Sequence, residues 1–197
     1  MKLYSYVIKK DSGLAPNPFW GYCTLAVCTP NHVGIKAQKG DWIIGTSPVS
    51  KGNKLVYAME VSESLPFEKY YDDVRFEKKK PVYNGSWRER YGDNMYYKDQ
   101  QGQWIQHRTL FHRSPEDKKK DLKYPVVFVA KYFHYFGDKA VTIPVEFQEL
   151  VLKRQGCKGD FDLNVVEKFI KWLKKNFSSG VLGNPKDNDE AQTTSCL

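Results

Sequence analysis

The chain has 197 residues, with 31 Lys+Arg against 23 Asp+Glu and a formal net charge of +8 at pH 7. A hydrophobic content of 41% and an aromatic content of 15%, with only 10 Pro, exclude a disordered or collagen-like chain. No apolar run approaches the roughly 20 residues of a membrane-spanning helix. The apolar stretch before Lys9 is too short for a secretory signal, so we expect a cytoplasmic protein without membrane contact.

The length predicts a single domain over residues 1–183 and a flexible acidic tail over 184–197. The tail carries one Lys and three acidic residues, so its net charge of −2 leaves +10 on the rest of the +8 chain. Part of this charge is clustered in the lysine runs 78–80 and 118–120. A basic surface attracts polyanions, although charged surface side chains also simply keep a protein soluble.

The first half of the chain predicts a strand, a long loop and a hairpin. Residues 3–8 are apolar on both faces, which is typical of a strand buried on two sides. A Pro- and Gly-marked loop follows over 9–21, and loops of this length in compact domains are commonly functional. Residues 22–28 predict a strand or a buried turn of helix, and a hairpin joins 42–45 to 54–63.

The second half predicts an irregular middle between regular elements. A short helix opens at Pro66, and the Tyr-rich segment 74–124 fits no long helix or strand. Residues 125–137 predict a strand, and an apolar stripe with lysines opposite it predicts an amphipathic helix from 162 to 180. The residues that we expect in one continuous sheet core are Trp42, Ile44, Tyr57, Met59 and Val127.

Polar loop residues carry the candidate chemistry, because the chain lacks a P-loop, a dinucleotide-binding Gly motif, a zinc-ligand spacing and a nucleophile elbow. Asp11, Ser12 and Asn17 either bond the turns of the first loop or present polar groups to a ligand. A second group of loop residues is equally compatible with a turn or with recognition of a base and its phosphate; its members are Arg88, Tyr91, Asp93 and Asn94.

Histidine and aromatic residues add to this set. His107 and His112 suit proton transfer near neutral pH, or simply a hydrogen bond at the surface. Trp20 lies in a loop, where an indole ring can stack on a nucleobase. Cys23 and Cys28 are five residues apart with no Cys-x-x-Cys motif, so we interpret them as reduced, small buried residues and expect no metal.

A family resemblance runs over most of residues 3–183. The sequence LYSYVIKKDSGLAPNPFWGYCTLAVCTP, followed by KGDWIIGT, KLVYAMEV, RYGDNMYY and WIQH, resembles the nucleotide modification associated domain 2 family. The resemblance implies a link to systems that make or handle modified bases in DNA. The motif positions that it implies are Asp11, Asn17, Cys23, Cys28, Asp41, Tyr91, Asp93, Asn94 and either His107 or His112.

A second resemblance concerns the fold. The order of turns and strands around Trp42 looks like the core of PUA-like barrels, a group whose EVE, ASCH and YTH modules bind modified or flipped bases in an aromatic pocket. This likeness implies a pocket formed by the 10–22 loop, the Trp42 strand and the region of Tyr91. It is an analogy of fold and establishes no function.

We therefore predict an α+β protein, a PUA-like mixed β-barrel with flanking helices and a C-terminal amphipathic helix. The favoured function is binding of a modified or flipped base or nucleotide of DNA in a polar-aromatic pocket, linked to base modification or defence, with no cofactor. The ligand-binding candidates are Ser12, Asn17, Trp20, Cys23, Trp42, Arg88, Tyr91 and Asn94. One alternative is an enzyme that acts on a nucleotide or nucleobase by acid–base chemistry of Asp11, Asp93, His107 and His112. The other is a basic module that docks a nucleic acid or a protein.

Overall fold

The computed structural model describes residues 1–28 and 33–190, and within them it contains three β-sheets and four α-helices. The strands of the largest sheet are, in spatial order, β10 (Cys157–Lys158), β1 (Leu3–Val7), β3 (Trp42–Thr46), β4 (Leu55–Glu60), β9 (Tyr132–Tyr135) and β11 (Gly180–Val181). Strands β1 and β3 are parallel, as are β9 and β11, and the other neighbours are antiparallel.

Two smaller sheets and the helices complete the fold. The second sheet has the order β2 (Cys23–Leu25), β8 (Val126–Ala130) and β5 (Glu63–Pro66), and the third is the hairpin of β6 (Tyr96–Lys98) and β7 (Trp104–Gln106). The helices are α1 (Phe67–Asp72), α2 (Trp87–Arg90), α3 (Pro115–Asp121) and α4 (Leu163–Asn176). The short elements between α1 and β8 agree with the irregular middle segment that the sequence predicts.

The α+β class is confirmed, but the predicted PUA-like barrel does not form. Over the described ranges none of the three sheets closes on itself, and the largest one ends at the two-residue strands β10 and β11. The reason lies in strand partners far apart in sequence: β1 pairs in parallel with β3, whereas β2, β5 and β8 leave that sheet to form their own. A barrel would require these strands to continue one ladder.

The five residues predicted for the core are all buried, with at most 1% exposure. Their arrangement differs from the prediction, because successive residues of a strand face opposite sides of the sheet. Trp42 and Ile44 pack on the face that α4 covers, whereas Tyr57 and Met59 pack on the opposite face. Val127 lies in a third cluster beneath α1. The five residues are therefore divided among three apolar clusters, whereas the sequence predicts one continuous core.

The predicted amphipathic helix is α4. Its stripe of Val166, Phe169, Ile170 and Leu173 is buried against the large sheet, while the lysines of the helix are exposed. The side chain of Asp162 accepts hydrogen bonds from the backbone N–H groups of Asn164 and Val165, which caps the N-terminus. None of the helices in the described part of the chain has the length and apolarity needed to cross a membrane.

The first residues of the predicted tail lie against the domain. The backbone N–H of Asp187 donates to the carbonyl of Asp11 at 2.8 Å, and its carboxylate pairs with Lys51 at 2.9 Å. Asn188, which is 2% exposed, donates to the carbonyl of Ser12 at 3.1 Å. Residues 184–188 thus form a strap across the start of the long loop, and residues 191–197 lie outside the described residues.

Candidate functional site

A buried polar network gathers several of the residues that the sequence singles out. The carboxylate of Asp93 accepts hydrogen bonds from Thr24 at 2.6 Å and from Tyr70 at 2.8 Å. Lys79 donates to the side chain of Asn17 at 2.7 Å. Asp93, Lys79 and Asn17 are each at most 2% exposed. Their hydrogen bonds therefore hold buried polar side chains in place inside the protein.

Two further predicted residues join this network through backbone contacts. Asn17 donates its amide to the carbonyl of Tyr91 at 2.9 Å, and Asn94 donates to the carbonyl of Tyr70 at 3.1 Å. Asn94 is only 1% exposed and Tyr91 is half-buried. The structure thus brings Asn17, Tyr91, Asp93 and Asn94 together, but by hydrogen bonds inside the fold.

The burial of a lysine in this network is unexpected, because the sequence predicts that the lysine run 78–80 lies on the surface. Lys79 is instead fully buried. Burial lowers the pKa of Lys79 to about 8, against the opposing effect of Asp93, and burial raises the pKa of Asp93 against the opposing effect of Lys79. The two groups make no direct contact, since Lys79 donates to Asn17 while Asp93 accepts from Thr24 and Tyr70, but each charge favours the ionised form of the other.

Asp11 lies apart from Asp93, with different partners. Its carboxylate accepts hydrogen bonds from Tyr135 Oη at 2.6 Å and from the backbone N–H of Lys186 at 3.2 Å. Burial raises the pKa of Asp11 to about 6, although both hydrogen bonds oppose the shift. The cavity beside it measures only about 40 Å³, little more than one water molecule occupies. Asp11 and Asp93 thus belong to separate hydrogen-bond networks, and their predicted convergence on one concave pocket stays a prediction.

The two candidate histidines are in different surroundings, and neither hydrogen-bonds Asp11 or Asp93. His107 Nε2 lies 2.9 Å from Tyr71 Oη, and its ring stacks on Tyr71 and makes a tilted contact with Tyr97. Burial lowers the pKa of His107, and the nearby Lys80 lowers it further. His112 instead lies between a thiol and a carboxylate.

A chain of hydrogen bonds joins Cys28, His112 and Asp121. Cys28 Sγ lies 3.2 Å from His112 Nε2, and His112 Nδ1 lies 2.5 Å from Asp121 Oδ2. The other carboxylate oxygen, Asp121 Oδ1, accepts the backbone N–H of Cys28 at 3.0 Å. Burial lowers the pKa of His112, but the hydrogen bonds to Asp121 and Cys28 outweigh it and raise that pKa to about 10.

The backbone around this chain is strained and held in place. Cys28 and His112 have φ angles of +63° and +51°, a region that residues other than glycine rarely adopt. Asp121 is 1% exposed and also accepts a hydrogen bond from Tyr96 at 3.0 Å. Gln106 donates to the carbonyl of His112 at 2.8 Å. Strain of this kind persists where the surroundings enforce it and is common at functional sites.

Cys28 and His112 open into a cavity of about 400 Å³. Lys9, Lys10 and Ser12 from the long loop line the same cavity. Cys28 is half-buried and hydrogen-bonded, so the expectation that it is simply a small apolar residue is wrong. No group of three or more His, Cys, Asp or Glu side chains in the described residues is arranged to hold a metal ion.

A second cavity, of about 460 Å³, lies at the other end of the long loop. It is lined by Trp20 and Arg88, together with Lys131 and Phe133. The Arg88 guanidinium lies 4.9 Å from the ring centroid of Trp87. Trp20 has a φ angle of +63°, and its buried Nε1 has no hydrogen-bond partner among the residues described.

Two predicted ligand residues, Cys23 and Trp42, line neither cavity. Cys23 is completely buried in β2, and Trp42 is 1% exposed in the core, where its ring contacts Tyr132 edge-on. Ser12 lines the cavity of Cys28, as given above. No local motif in the sequence marks Asp121, because it ends a lysine-rich helix and lies 93 residues from Cys28.

These features define an α+β domain with one long loop that lines two cavities. The chain matches the model of the nucleotide modification associated domain 2 family over residues 1–192 and belongs to that family. The family's description links it to nucleotide modification. No curated protein and no solved structure matches the chain.

Proposed function

We propose that this domain binds a modified or flipped base of DNA in the cavity between Trp20 and Arg88, within a base-modification or defence system. The observation that carries the proposal is the juxtaposition of an indole ring, a guanidinium and the ammonium group of Lys131 around one cavity. A nucleotide presents a flat apolar ring and an anionic phosphate. The family membership supports a nucleotide as the ligand.

Size and chemistry both support this ligand. Cavities that bind small molecules measure about 300–1,000 Å³, and this one measures about 460 Å³. Stacking of a base on an aromatic ring is worth about 1–3 kcal/mol, and Trp20 brings such a ring to the lining of this cavity. The planar guanidinium of Arg88 lies over the rings of Phe19 and Trp87 and can donate two parallel hydrogen bonds to a phosphate.

The charge of the chain supports an anionic partner of larger size. Trp20 also lines a second depression, in which Glu77 and Glu89 accompany Lys78 and Lys80. Lys80 is paired with Glu77 at 2.6 Å, whereas Lys78 Nζ lies 5.7 Å from the ring centroid of Trp20. Arg88 and Lys131 are exposed, so a DNA backbone beside the first cavity would meet these two cations together with Lys78, which favours DNA over a free base.

The test is binding of fluorescein-labelled DNA, single-stranded and duplex with one mismatched base, measured by fluorescence anisotropy. We expect Trp20→Ala to weaken binding by about 5- to 150-fold, because it removes one stacking contact, and Trp20→Phe to retain most of the affinity. Arg154→Gln is the matched control for Arg88→Gln, since Arg154 is exposed and outside both cavities. Unchanged affinity in Trp20→Ala and Arg88→Gln would overturn the proposal.

A further inference from the structure

We infer that Cys28, His112 and Asp121 form a second site, a thiol-based catalytic centre that cleaves or transfers the acyl group of an amide or ester. This activity goes beyond base binding and uses a different cavity. The observation behind it is a continuous relay in which a sulfur, an imidazole and a buried carboxylate are joined at 3.2 Å and 2.5 Å. The relay ends at an open cavity of about 400 Å³.

The roles follow from which atom faces which. Asp121 binds His112 Nδ1, so Nε2 is the nitrogen that faces Cys28 Sγ and exchanges protons with it. A cationic imidazole at this distance stabilises a thiolate, which is the nucleophilic form of cysteine. Asp121 is a positioning residue, because it holds the imidazole in one orientation and does not line the cavity.

The way in which Asp121 holds both Cys28 and His112 is more than a hydrogen-bond cluster with a purely structural role would require. Asp121 fixes the backbone of Cys28 with one oxygen and the ring of His112 with the other, so one buried carboxylate sets both groups relative to each other. Cys28 and His112 both adopt a strained backbone with a positive φ angle in this arrangement. Cys28 and His112 are nevertheless partly exposed and line the cavity, with 19% exposure for the His112 side chain, whereas Asp121 is 1% exposed.

The chemistry is balanced without an external oxidant or reductant. The Cys28 thiolate attacks the carbonyl carbon, an S–C bond forms, and the C–N or C–O bond breaks as His112 Nε2 gives its proton to the leaving amine or alcohol. Water, or an amine as acceptor, then gives a proton to His112 and attacks the thioester carbon. The S–C bond breaks, and the thiolate and imidazolium are restored.

The cavity indicates the class of substrate. Lys9 and Lys10 line it together with Ser12, so two basic residues and one hydroxyl residue belong to the same cavity wall as the thiol. An acyl compound that carries a carboxylate or a phosphate meets opposite charge there. The other lining residues include Leu14 and Phe111, which suit an apolar portion of the same substrate.

The probe is p-nitrophenyl acetate, a small ester whose cleavage does not depend on DNA binding. We expect a rapid release of p-nitrophenol and one acetyl group on Cys28, located by peptide mapping of the quenched protein. Cys28→Ser should abolish this phase, and the matched control Cys157→Ser should retain it. Cys157 is half-buried like Cys28, but burial raises its pKa to about 11.

A second measurement separates catalysis from folding. Iodoacetamide should alkylate Cys28 faster than Cys157 at pH 7, and His112→Gln should slow alkylation of Cys28 by at least about tenfold without changing Cys157. Thermal melting of each variant checks that the domain is folded. Acetylation spread over all cysteines, or alkylation of Cys28 that does not respond to His112→Gln in a folded protein, would overturn the inference.

Discussion

Asp121 Oδ2 lies 2.5 Å from His112 Nδ1, and this contact helps to raise the pKa of His112, whereas burial lowers the pKa of His107 and of His134. The two residues are only nine positions apart, at the two ends of the segment that leads through α3. The same carboxylate reaches back to the backbone of Cys28. One side chain thus couples the end of α3 to the end of the strand that leads to the thiol.

Replacing Asp121 should move the titration of His112. In the wild type the pKa of His112 is raised to about 10. Protonated His112 therefore stabilises the folded domain fully below pH 6.5, and this stabilisation is lost as the pH rises through about 10. Asp121→Asn should return the pKa of His112 toward 6.5 and remove that pH dependence. Histidine proton resonances followed by NMR measure the shift directly. Asp160→Asn, which removes the same charge at an exposed site, should leave the His112 titration unchanged.

Lys79 and Asp93 should be coupled energetically. Removing either partner strands a buried charge, so Lys79→Met and Asp93→Asn should each destabilise the domain by about 3–5 kcal/mol. The double variant should lose clearly less than the two losses combined, because it leaves no unpaired charge. Urea denaturation of all four proteins provides the cycle. Additive losses would mean that the two groups do not interact.

The stability of the domain should fall as the pH rises from about 4 to about 6, because Asp11 loses its proton in this range. Its pKa is raised from 3.8 to about 6, so its contribution is complete below about pH 4 and is lost as the pH rises through about 6. The loss amounts to at most about 3 kcal/mol. Asp11→Asn keeps an acceptor for Tyr135 and should remove this decline. The free energy of unfolding at several pH values tests it, and equal slopes in both proteins would contradict the assignment.

DNA binding should weaken as salt increases. Each phosphate that the protein neutralises contributes a slope of about −0.9 for duplex DNA in a plot of log affinity against log salt. If Arg88 contacts one phosphate, Arg88→Gln should reduce the slope by about that amount, whereas Arg154→Gln should change it less. Titrations of labelled DNA between low and moderate salt give both slopes. A slope near zero in the wild type would leave the lysines with a role in solubility alone.

Local patterns account for what the sequence predicts well. The hairpin of β3 and β4 follows from strand alternation on both sides of a turn, and α4 follows from a stripe with a period of 3.6 residues. Burial of Trp42 and Met59 follows from the same alternation. The separate sheets could not be predicted in this way, because they depend on pairings between strands distant in sequence.

The candidate sites show the same division. Trp20 and Arg88 could be singled out as an aromatic and a cation in loops, and they do line one cavity. Lys79 looks like its exposed neighbour Lys78, but in the folded chain it is buried and donates a hydrogen bond to Asn17, 62 residues away. Asp121 could not be connected with Cys28 by any spacing rule, since their contact exists only in the folded chain.

Photochemical crosslinking tests the base-binding account most directly. A DNA strand that carries 5-iododeoxyuridine at the mismatched or flippable position is bound and irradiated, and the crosslinked peptide is identified by mass spectrometry. The account predicts a crosslink to Trp20 or its neighbour Phe19, lost in Trp20→Ala and retained at a reduced level in Arg88→Gln. A crosslink at a different surface, with the DNA bound and the 18–21 segment unmodified, would contradict it.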